Sequence, residues 1–398
     1  MSNVTQEPGE PSAEAVEQAA ALTRTAVESL PEGRLARQLG LDRPLRIKLG
    51  IDPTAPDIHL GHTVVLNKLR EFQEQGHRVV LIIGDYTARV GDPSGRSDQR
   101  PMLDPAEIDA NAETFMEQAF KILDREKTEV RYNSEWLKME SDQLFALMAR
   151  PTVARLLERD DFQKRMAAEE PVSLLELVYP LLQGYDSVAI EADVEIGGTD
   201  QKFNLLFGRD MQSSFGQPLQ SIMTLPILPG IDGVKKMSKS TGNYIGVTDA
   251  PEEMFGKVMR VPDANLEEYW QLLLSEDPPE GAGPNEAKRE LGRRLVARFH
   301  GENAAPGAEE HFNRLFVRHE VPEEVEDFGI GDQVHLPAAL AEAFGVSRSE
   351  ARRAITQGGV KLDGEPLPPE PLDYPSDQLD GKVLQLGKRR FRRLVKGA

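Results

Sequence analysis

The chain has 398 residues, 39% of them hydrophobic and 28% charged, which is typical of a globular protein long enough for two or three domains. The net charge is −19, yet residues 348–398 carry 11 lysines and arginines against 7 acidic residues, which favours either contact with a polyanion or a solvated surface asymmetry. The absence of cysteine excludes disulfides and cysteine-ligated zinc, and the longest apolar run, VVLII at 79–83, is too short for a membrane span, so we expect a cytoplasmic protein.

The first part of the chain predicts a parallel sheet. After an acidic segment at 1–30 that we expect to be flexible, RIKLGID (46–52) and HRVVLIIGD (77–85) predict buried strands. The residues between them have helical periodicity and end at Gly76. A strand, a helix and a second strand in this order form a βαβ unit, in which the two strands lie parallel.

The same periodicities predict further elements downstream: helices over 105–123, 152–190 and 249–318, a strand, turn and helix at 193–208, and a strand at 221–228. We expect Pro171 and Pro180 to interrupt the second of these helical segments, because proline removes a helical hydrogen bond. Residues 321–333 have the composition of a linker, and 335–396 predict a small final domain.

HLGH (59–62) carries side chains suited to phosphate chemistry. It lies where the first buried strand leads into a helix, and the free N–H groups of a helix N-terminus attract phosphate. His59 and His62 lie on one helix face and can donate hydrogen bonds, while Gly61 lets a ring or phosphate approach the backbone. Two ordinary histidines are the alternative, and so is a metal site, although no third ligand is evident nearby.

KMSKS (236–240) lies in a cationic, glycine-flanked loop after the last strand. Lys236 and Lys239 can reach the β and γ phosphates of a nucleotide, and Ser238 and Ser240 can add hydroxyl donors. The flanking glycines allow the loop to close over a ligand. Lysines in such a loop are usually only solvated, but their occurrence after a sheet that begins with HLGH favours nucleotide binding.

These two motifs resemble the signatures of class I aminoacyl-tRNA synthetases: HLGH is similar to HIGH, and KMSKS is a full match to the second signature. The resemblance runs from about residue 40 to the C-terminus. Within the family, YPLLQGYD (179–186), GDPSGRSDQR (91–100) and GGTDQ (197–201) look like motifs of bacterial tyrosyl-tRNA synthetases. The resemblance implies an α/β fold: a Rossmann-like nucleotide-binding parallel sheet, followed by a helical domain and a small α+β RNA-binding domain.

The resemblance also implies domain bounds and a reaction. Composition predicts a flexible segment at 1–30 and a linker at 326–334, and the resemblance implies a catalytic domain at 31–247, a helical anticodon-side domain at 248–325 and an αL-type RNA-binding domain at 335–398. The carboxylate of L-tyrosine would attack the α-phosphate of ATP, and the resulting adenylate would pass its tyrosine to the 3′-terminal adenosine of tRNA(Tyr). Mg²⁺ is expected to arrive with ATP, without a protein-bound metal. A homodimer with an interface around 110–170 is implied.

The resemblance implies that one helix face selects tyrosine. Tyr179, Gln183 and Asp186 recur at i, i+4 and i+7 and share one face. An amphipathic stripe is the alternative, but Gln and Asp are poor core residues unless partnered. Asp186 is expected to accept a hydrogen bond from the phenol, whereas Tyr179, Gln183 and Asp92 hold the ammonium group. The implied tyrosine-binding set is Asp52, Asp92, Tyr179, Gln183, Asp186 and Gln201.

The resemblance also implies that side chains stabilise the negative charge that develops on the leaving pyrophosphate. This reaction needs no nucleophilic side chain. The implied catalytic residues are Thr54, His59, His62, Lys236 and Lys239. The implied ATP-binding residues are Gly61, Arg96, Arg100, Gly198, Asp200, Lys239 and Ser240. Salt bridges on an acidic surface are the alternative for the two arginines.

One position departs from the family pattern. Two residues before the glycine of GIDPT (50–54), the family often has a tyrosine that partners the phenol, and here that position is Lys48. The sequence leaves open whether Lys48 or another side chain donates to the phenol, whether Asp186 acts without that partner, or whether Lys48 points elsewhere.

The final domain resembles the αL RNA-binding domain shared with a ribosomal protein. Three arginines fall at i, i+4 and i+5 on one flank of a predicted helix, and KRRFRR (388–393) surrounds Phe391 with cations. A surface-charge cluster is the alternative. The implied RNA-binding residues are Arg348, Arg352, Arg353, Lys388, Arg389 and Arg390.

Three other functions stay open at this point: a tryptophanyl-tRNA synthetase, a small-molecule adenylyltransferase with a related HxGH site, and a non-catalytic RNA-binding protein that retains the fold. KMSKS and the basic tail disfavour the adenylyltransferase. Intact HLGH and KMSKS, together with Asp92, Asp186 and Asp200, disfavour a protein that has lost catalysis.

Overall fold

The computed structural model describes residues 9–54, 56–92, 104–318, 325–387 and 390–397. The chain packs into two compact units, one of Met1–Ala250 and Lys257–Leu291, the other of Pro251–Gly256 and Gly292–Ala398. Within the described ranges, no helix is long and apolar enough to cross a membrane. The domain bounds given above stay a prediction, apart from the segments at 1–30 and 326–334, which are corrected below.

The first unit is built on one six-stranded sheet. Its strands are β1 Glu28–Leu30, β2 Arg46–Ile51, β3 Arg78–Ile83, β4 Thr128–Tyr132, β5 Val194–Gly198 and β6 Ser221–Leu225. They are ordered β1-β6-β5-β2-β3-β4, and all neighbours are parallel except β1 and β6. The chain leaves β2 towards β3 and β4 and returns to β5 on the other side, so the strand order reverses between β2 and β5. The predicted α/β class with a Rossmann-like parallel sheet is confirmed.

The helices of the described ranges, in order, are α1 Ala13–Thr23, α2 Arg34–Leu39, α3 Leu60–Glu74, α4 Thr87–Val90, α5 Pro105–Ala119, α6 Ser134–Leu137, α7 Ser141–Met148, α8 Val153–Leu156, α9 Asp160–Ala167, α10 Leu174–Ala189, α11 Lys202–Ser214, α12 Pro251–Val258, α13 Leu266–Leu274, α14 Pro284–His300, α15 Ala304–Phe312, α16 Leu336–Phe344 and α17 Arg348–Thr356. Both faces of the central strands are covered, because β3 is apolar at successive positions and Val79 through Ile83 are fully buried.

The expectation that residues 1–30 are flexible is wrong for much of that segment. The Ser12 hydroxyl accepts a hydrogen bond from the Ala15 N–H at 3.1 Å and caps α1, and Leu22 of α1 is buried. β1 then pairs antiparallel with β6. The acidic composition concealed an amphipathic helix whose apolar face packs on the unit.

The expected interruption at Pro180 is also wrong, because this proline lies inside α10. Two features offset the hydrogen bond that proline removes. The helix begins with a capping box between Ser173 and Glu176. In addition, Leu181 and Val188 pack with Phe207 and Met211 of α11, so tertiary burial stabilises α10.

The second unit contains a small α+β domain at the end of the chain. Its strands are β7 Asp327–Ile330, β8 Gln333–His335, β9 Val360–Leu362, β10 Glu365–Pro366, β11 Asp373–Pro375, β12 Val383–Leu386 and β13 Arg390–Lys396. Five form a sheet in the order β10-β9-β12-β13-β7, and β8 pairs with β11. Buried residues of α16, α17 and this sheet form its core, among them Leu340, Ile355 and Leu384.

The linker predicted at 326–334 is corrected by this sheet. β7 lies parallel to β13, with Phe328 opposite Leu394, so residues 327–330 belong to the folded domain. Glycines and acidic residues suggested a linker, but β7 obtains its hydrogen bonds and its burial at Ile330 from residues more than 50 positions away.

Candidate active site

A cavity of about 340 Å³ lies at the carboxyl ends of β2 and β5, where the strand order reverses. Ligands of open parallel sheets bind at this place. The predicted site residues that line the cavity are Asp52, Thr54, His59, Gly61, His62, Asp92, Tyr179, Gln183, Asp186, Gly198, Asp200, Gln201 and Lys236. The fold therefore gathers both motifs and the helix face of Tyr179, Gln183 and Asp186 around one space.

Some predicted residues are not part of the cavity wall. Lys239 forms an ion pair with Asp57, and the hydroxyl of Ser240 lies 2.9 Å from that of Ser238. Arg96 and Arg100 fall outside the described residues, so the structure does not place them.

The two histidines of HLGH stack at the start of α3, with ring centroids 3.9 Å apart. The His59 backbone N–H donates to Nδ1 of His62 at 3.2 Å, which assigns the proton of the His62 ring to Nε2. Burial, together with the charge of Lys236, lowers the pKa of His59 to about 2 and that of His62 to about 4. Both rings are therefore neutral hydrogen-bond donors at pH 7. A side chain at Gly61 would place its Cβ 3.0 Å from the His59 ring, which explains the glycine.

Asp186 lies at the buried end of the cavity. Its Oδ1 accepts a hydrogen bond from the indole N–H of Trp136 at 2.8 Å, and its Oδ2 lies 3.5 Å from the amide of Asn133. Burial raises the pKa of Asp186 to about 7, against the opposing charge of Lys48. The second carboxylate oxygen is thus the acceptor best placed for a polar group of a ligand.

Tyr179 and Asp52 form a second polar pair on the wall. The Tyr179 hydroxyl donates to Oδ2 of Asp52 at 2.8 Å, and the Thr87 hydroxyl donates to Oδ1 at 2.6 Å. Burial and the negative charge of Asp52 raise the pKa of Tyr179 well above its ordinary value, so its phenol keeps its proton. The hydrogen bond between the two side chains links the end of β2 to α10.

Asp92 is held from two sides. Its Oδ2 accepts from the Gln201 amide at 2.7 Å, and its Oδ1 lies 3.2 Å from a guanidinium nitrogen of the buried Arg159. A carboxylate oriented in this way can accept hydrogen bonds from an ammonium group in the cavity.

Lys48 is fully buried and does not line the cavity. Its ammonium nitrogen lies 2.8 Å from Oε1 of Glu195, 2.8 Å from the Ser187 hydroxyl and 3.0 Å from the Gln183 carbonyl oxygen. Three acceptors match its three N–H groups, so we conclude that Lys48 is not the phenol donor.

The sequence reasoning missed Thr87, Asn133 and Glu195, which also line the cavity. A signal was present, because Asn133 directly follows β4 and Thr87 follows β3 by four residues. Side chains at the carboxyl ends of parallel strands meet at one edge of a sheet. The position of Glu195, inside β5, had no such signal.

The KMSKS loop holds its cations against carboxylates. The Lys236 ammonium lies 2.6 Å from Oδ2 of Asp200, and the Ser238 N–H donates to Oδ1 of Asn243 at 2.8 Å. Lys236 and Lys239 are both partly exposed, so an incoming polyphosphate can replace the carboxylates as their partner.

Among the described residues, no group of three or more His, Asp or Glu side chains could hold a metal ion.

The predicted RNA-binding arginines lie in the second unit. Arg348, Arg352 and Arg353 are exposed on α17, and the last two line a shallow depression of about 380 Å³. The Arg390 guanidinium donates to the Phe344 carbonyl oxygen at 3.3 Å. Lys388 and Arg389 lie outside the described residues.

Comparison with known families gives two matches. Residues 41–317 match the family model described as tRNA synthetases class I (W and Y), and residues 336–367 match the S4 domain. The chain is 50% identical to the tyrosine–tRNA ligase of Moorella thermoacetica, over 94% of each chain. It is 49% identical to that of Geobacter sulfurreducens, over 95% of this chain and 98% of the relative.

Solved structures show the same fold at lower identity. The tyrosyl-tRNA synthetase of Aeropyrum pernix superposes with a TM-score of 0.60 at 20% identity, over 75% of this chain and 98% of that one. A C-terminally truncated mitochondrial tyrosyl-tRNA synthetase of Aspergillus nidulans gives 0.61 at 22% identity, over 76% and 94% of the two chains.

Proposed function

The chain belongs to the class I tRNA synthetases of the tryptophan and tyrosine group, and from this we propose that it is an ATP-dependent tyrosine–tRNA ligase. It activates L-tyrosine with ATP, releases pyrophosphate, and transfers the tyrosine to the 3′-terminal adenosine of tRNA(Tyr). The buried Asp186 carboxylate, which faces the cavity from the same helix as Tyr179 and Gln183, is an acceptor for the phenolic O–H. The choice of tyrosine over tryptophan is supported by the relatives at about 50% identity, which are named tyrosine–tRNA ligases.

The cavity residues divide the chemistry between them. Asp92, Tyr179 and Gln183 hold the substrate ammonium group, and Asp186 accepts from the phenol. At the opposite end, His59 and His62 donate neutral N–H groups to the phosphates while the lysines of the loop supply positive charge. Charge that develops on the leaving pyrophosphate is stabilised by groups already in position, which is the main source of acceleration in such a step.

We further propose that Mg²⁺ enters with the ATP phosphates and that the reaction takes place in the cytoplasm, where ATP and tRNA are available. A Mg²⁺ ion that bridges phosphates keeps several waters and needs few protein ligands. This supports delivery as the ATP complex.

The direct test is ATP–pyrophosphate exchange without tRNA, run in parallel with tyrosine, tryptophan and phenylalanine. We expect exchange with tyrosine alone. Exchange with tryptophan would keep the family and overturn the role of Asp186. If no amino acid supports exchange but the protein still shifts RNA on a gel, a binding protein without catalysis is the better description.

Asp186→Asn is expected to lower the preference for tyrosine over phenylalanine by roughly 10- to 100-fold, because a charge-assisted hydrogen bond becomes a neutral one. The full preference of such a site is about 10⁴–10⁵, a general magnitude for which tyrosyl-tRNA synthetases are themselves the standard example. Ratios of kcat/KM from the exchange assay measure it. Asp193→Asn is the matched control, a buried carboxylate paired with Arg43 outside the cavity wall. An unchanged ratio in Asp186→Asn would remove this residue from the site.

We also propose that the chain forms a homodimer. Large apolar side chains are exposed along α7 to α10, with Phe145 66% and Leu174 71% exposed. The full set is Phe145, Met148, Val153, Met166, Leu174 and Leu175. Exposed apolar side chains concentrated in one part of a chain favour an interface, and most of these lie within the expected 110–170 segment.

Sedimentation should therefore give twice the chain mass of 44.2 kDa for the native protein, and Phe145→Asp with Leu174→Asp should give the monomer. Val16→Asp, at an apolar residue of α1 that is 50% exposed, should stay dimeric. A native protein that sediments as a monomer at micromolar concentration would contradict the proposal.

A further inference from the structure

The buried ion pair of Lys48 and Glu195 is not part of any motif: Lys48 lies beneath the cavity, whereas Glu195 also lines it. The two side chains are 0% and 2% exposed and lie 2.8 Å apart. Removing two charges from water is expensive, and replacing such a pair with apolar residues often leaves stability unchanged or raises it. The pair is therefore poorly explained by stability alone.

Its contacts converge on one residue of the cavity wall. The Lys48 ammonium donates to the carbonyl oxygen of Gln183 at 3.0 Å, and Oε1 of Glu195 lies 3.4 Å from the side-chain amide of the same Gln183. The ion pair thus contacts both the backbone and the side chain of a residue that lines the cavity.

The next helical turn is held by the same pair. The Ser187 hydroxyl accepts from Lys48 at 2.8 Å and donates to Oε2 of Glu195 at 3.1 Å. Oε2 also accepts from the Gln220 amide at 2.5 Å, so Glu195 is itself anchored. Between Gln183 and Ser187 on α10 stands Asp186, whose carboxylate the cavity exposes to a ligand.

We propose that Lys48 and Glu195 are positioning residues that clamp α10 to β2 and β5, so that Gln183 and Asp186 are held ready for the two ends of the tyrosine substrate. The clamp acts through Gln183 and Ser187 and does not touch the ligand through Lys48. In the family pattern, the residue at the Lys48 position is often a tyrosine that contacts the phenol. In this chain, the buried ion pair fixes the tyrosine pocket from that position without such a contact. This inference rests on the proposed tyrosine-activating function.

The test uses the full chain and replaces both charges at once, because a single change would leave one buried charge unpaired. In Lys48→Met/Glu195→Gln, we expect the KM for tyrosine in pyrophosphate exchange to rise about 10-fold or more, with kcat and the KM for ATP changed less than about 3-fold. This split follows because the clamp orders groups that bind tyrosine equally in the ground and transition states.

A matched control is the pair Lys68–Glu71 on α3, in which the lysine side chain is 2% exposed and which does not line the cavity. Lys68→Met/Glu71→Gln should leave the KM for tyrosine unchanged. If the double variant at the clamp fails to fold, Ser187→Ala, which removes one contact of the clamp and leaves both charges paired, should still raise the KM for tyrosine more than the KM for ATP.

Three negative results are distinguishable. A native protein without tyrosine-dependent exchange overturns the proposed function itself. Native exchange together with an unchanged KM for tyrosine in the folded clamp variants overturns the clamp alone. A parallel rise of both KM values with a lower kcat and melting temperature would show a structural role only and would also overturn it.

Discussion

Lys239→Ala should lower the rate of tyrosyl-adenylate formation by about 100- to 1,000-fold, the range for removal of one group that stabilises transition-state charge. Lys239 is paired with Asp57 at the rim, and both side chains are about one-third exposed, at 31% and 34%. A polyphosphate carries more charge than one carboxylate, so Lys239 can exchange Asp57 for ATP as the loop closes. Affinity for tyrosine should change less than about twofold, because the side chains proposed to bind tyrosine belong to other elements.

Stopped-flow fluorescence measures this rate, and the chain contains its own reporter. One of its two tryptophans, Trp136, donates to Asp186 at 2.8 Å and should respond when tyrosine or the adenylate occupies the cavity. Lys235→Ala is the matched control, since Lys235 is an exposed lysine of the same loop that directly precedes KMSKS. An unchanged rate in Lys239→Ala, or an equal loss in Lys235→Ala, would refute the role of Lys239.

Ending the chain at Arg318 should spare tyrosine-dependent pyrophosphate exchange within about 3-fold and lower tyrosyl-tRNA formation by about 100-fold or more. All residues that line the cavity lie between Leu49 and Met237 in the first unit, so activation does not draw on the removed domain. The cut precedes β7 because that strand pairs with β13, and a cut at 335 would leave it without its sheet.

Point variants separate charge from the loss of a whole domain. In the full chain, changing Arg348, Arg352 and Arg353 together to Glu should lower charging in the same direction, with activation intact. The same three positions changed to Lys should charge tRNA nearly as well as the native protein, because phosphate contacts depend mainly on positive charge. Normal tRNA charging by the truncated chain would show that the α17 surface is not needed for tRNA binding.

Local sequence determined the elements around the cavity and the identity of most side chains in it. Apolar runs at 46–52 and 77–85 became β2 and β3, and HLGH begins α3 as its spacing predicts. The i, i+4, i+7 spacing put Tyr179, Gln183 and Asp186 on one wall. These predictions succeed because strand and helix periodicities are set by backbone geometry within a few residues.

Tertiary packing decided where local signals misled. Pro180 stays helical because α10 packs on α11, and β7 is a strand only because β13 supplies its partners. The burial and the partners of Lys48 could not be predicted from the local sequence either. Its acceptors on Gln183, Ser187 and Glu195 come from elements more than 130 residues away. A period or motif fixes which way a side chain points, whereas its partners and its burial depend on contacts between distant segments, which exist only once the chain has folded.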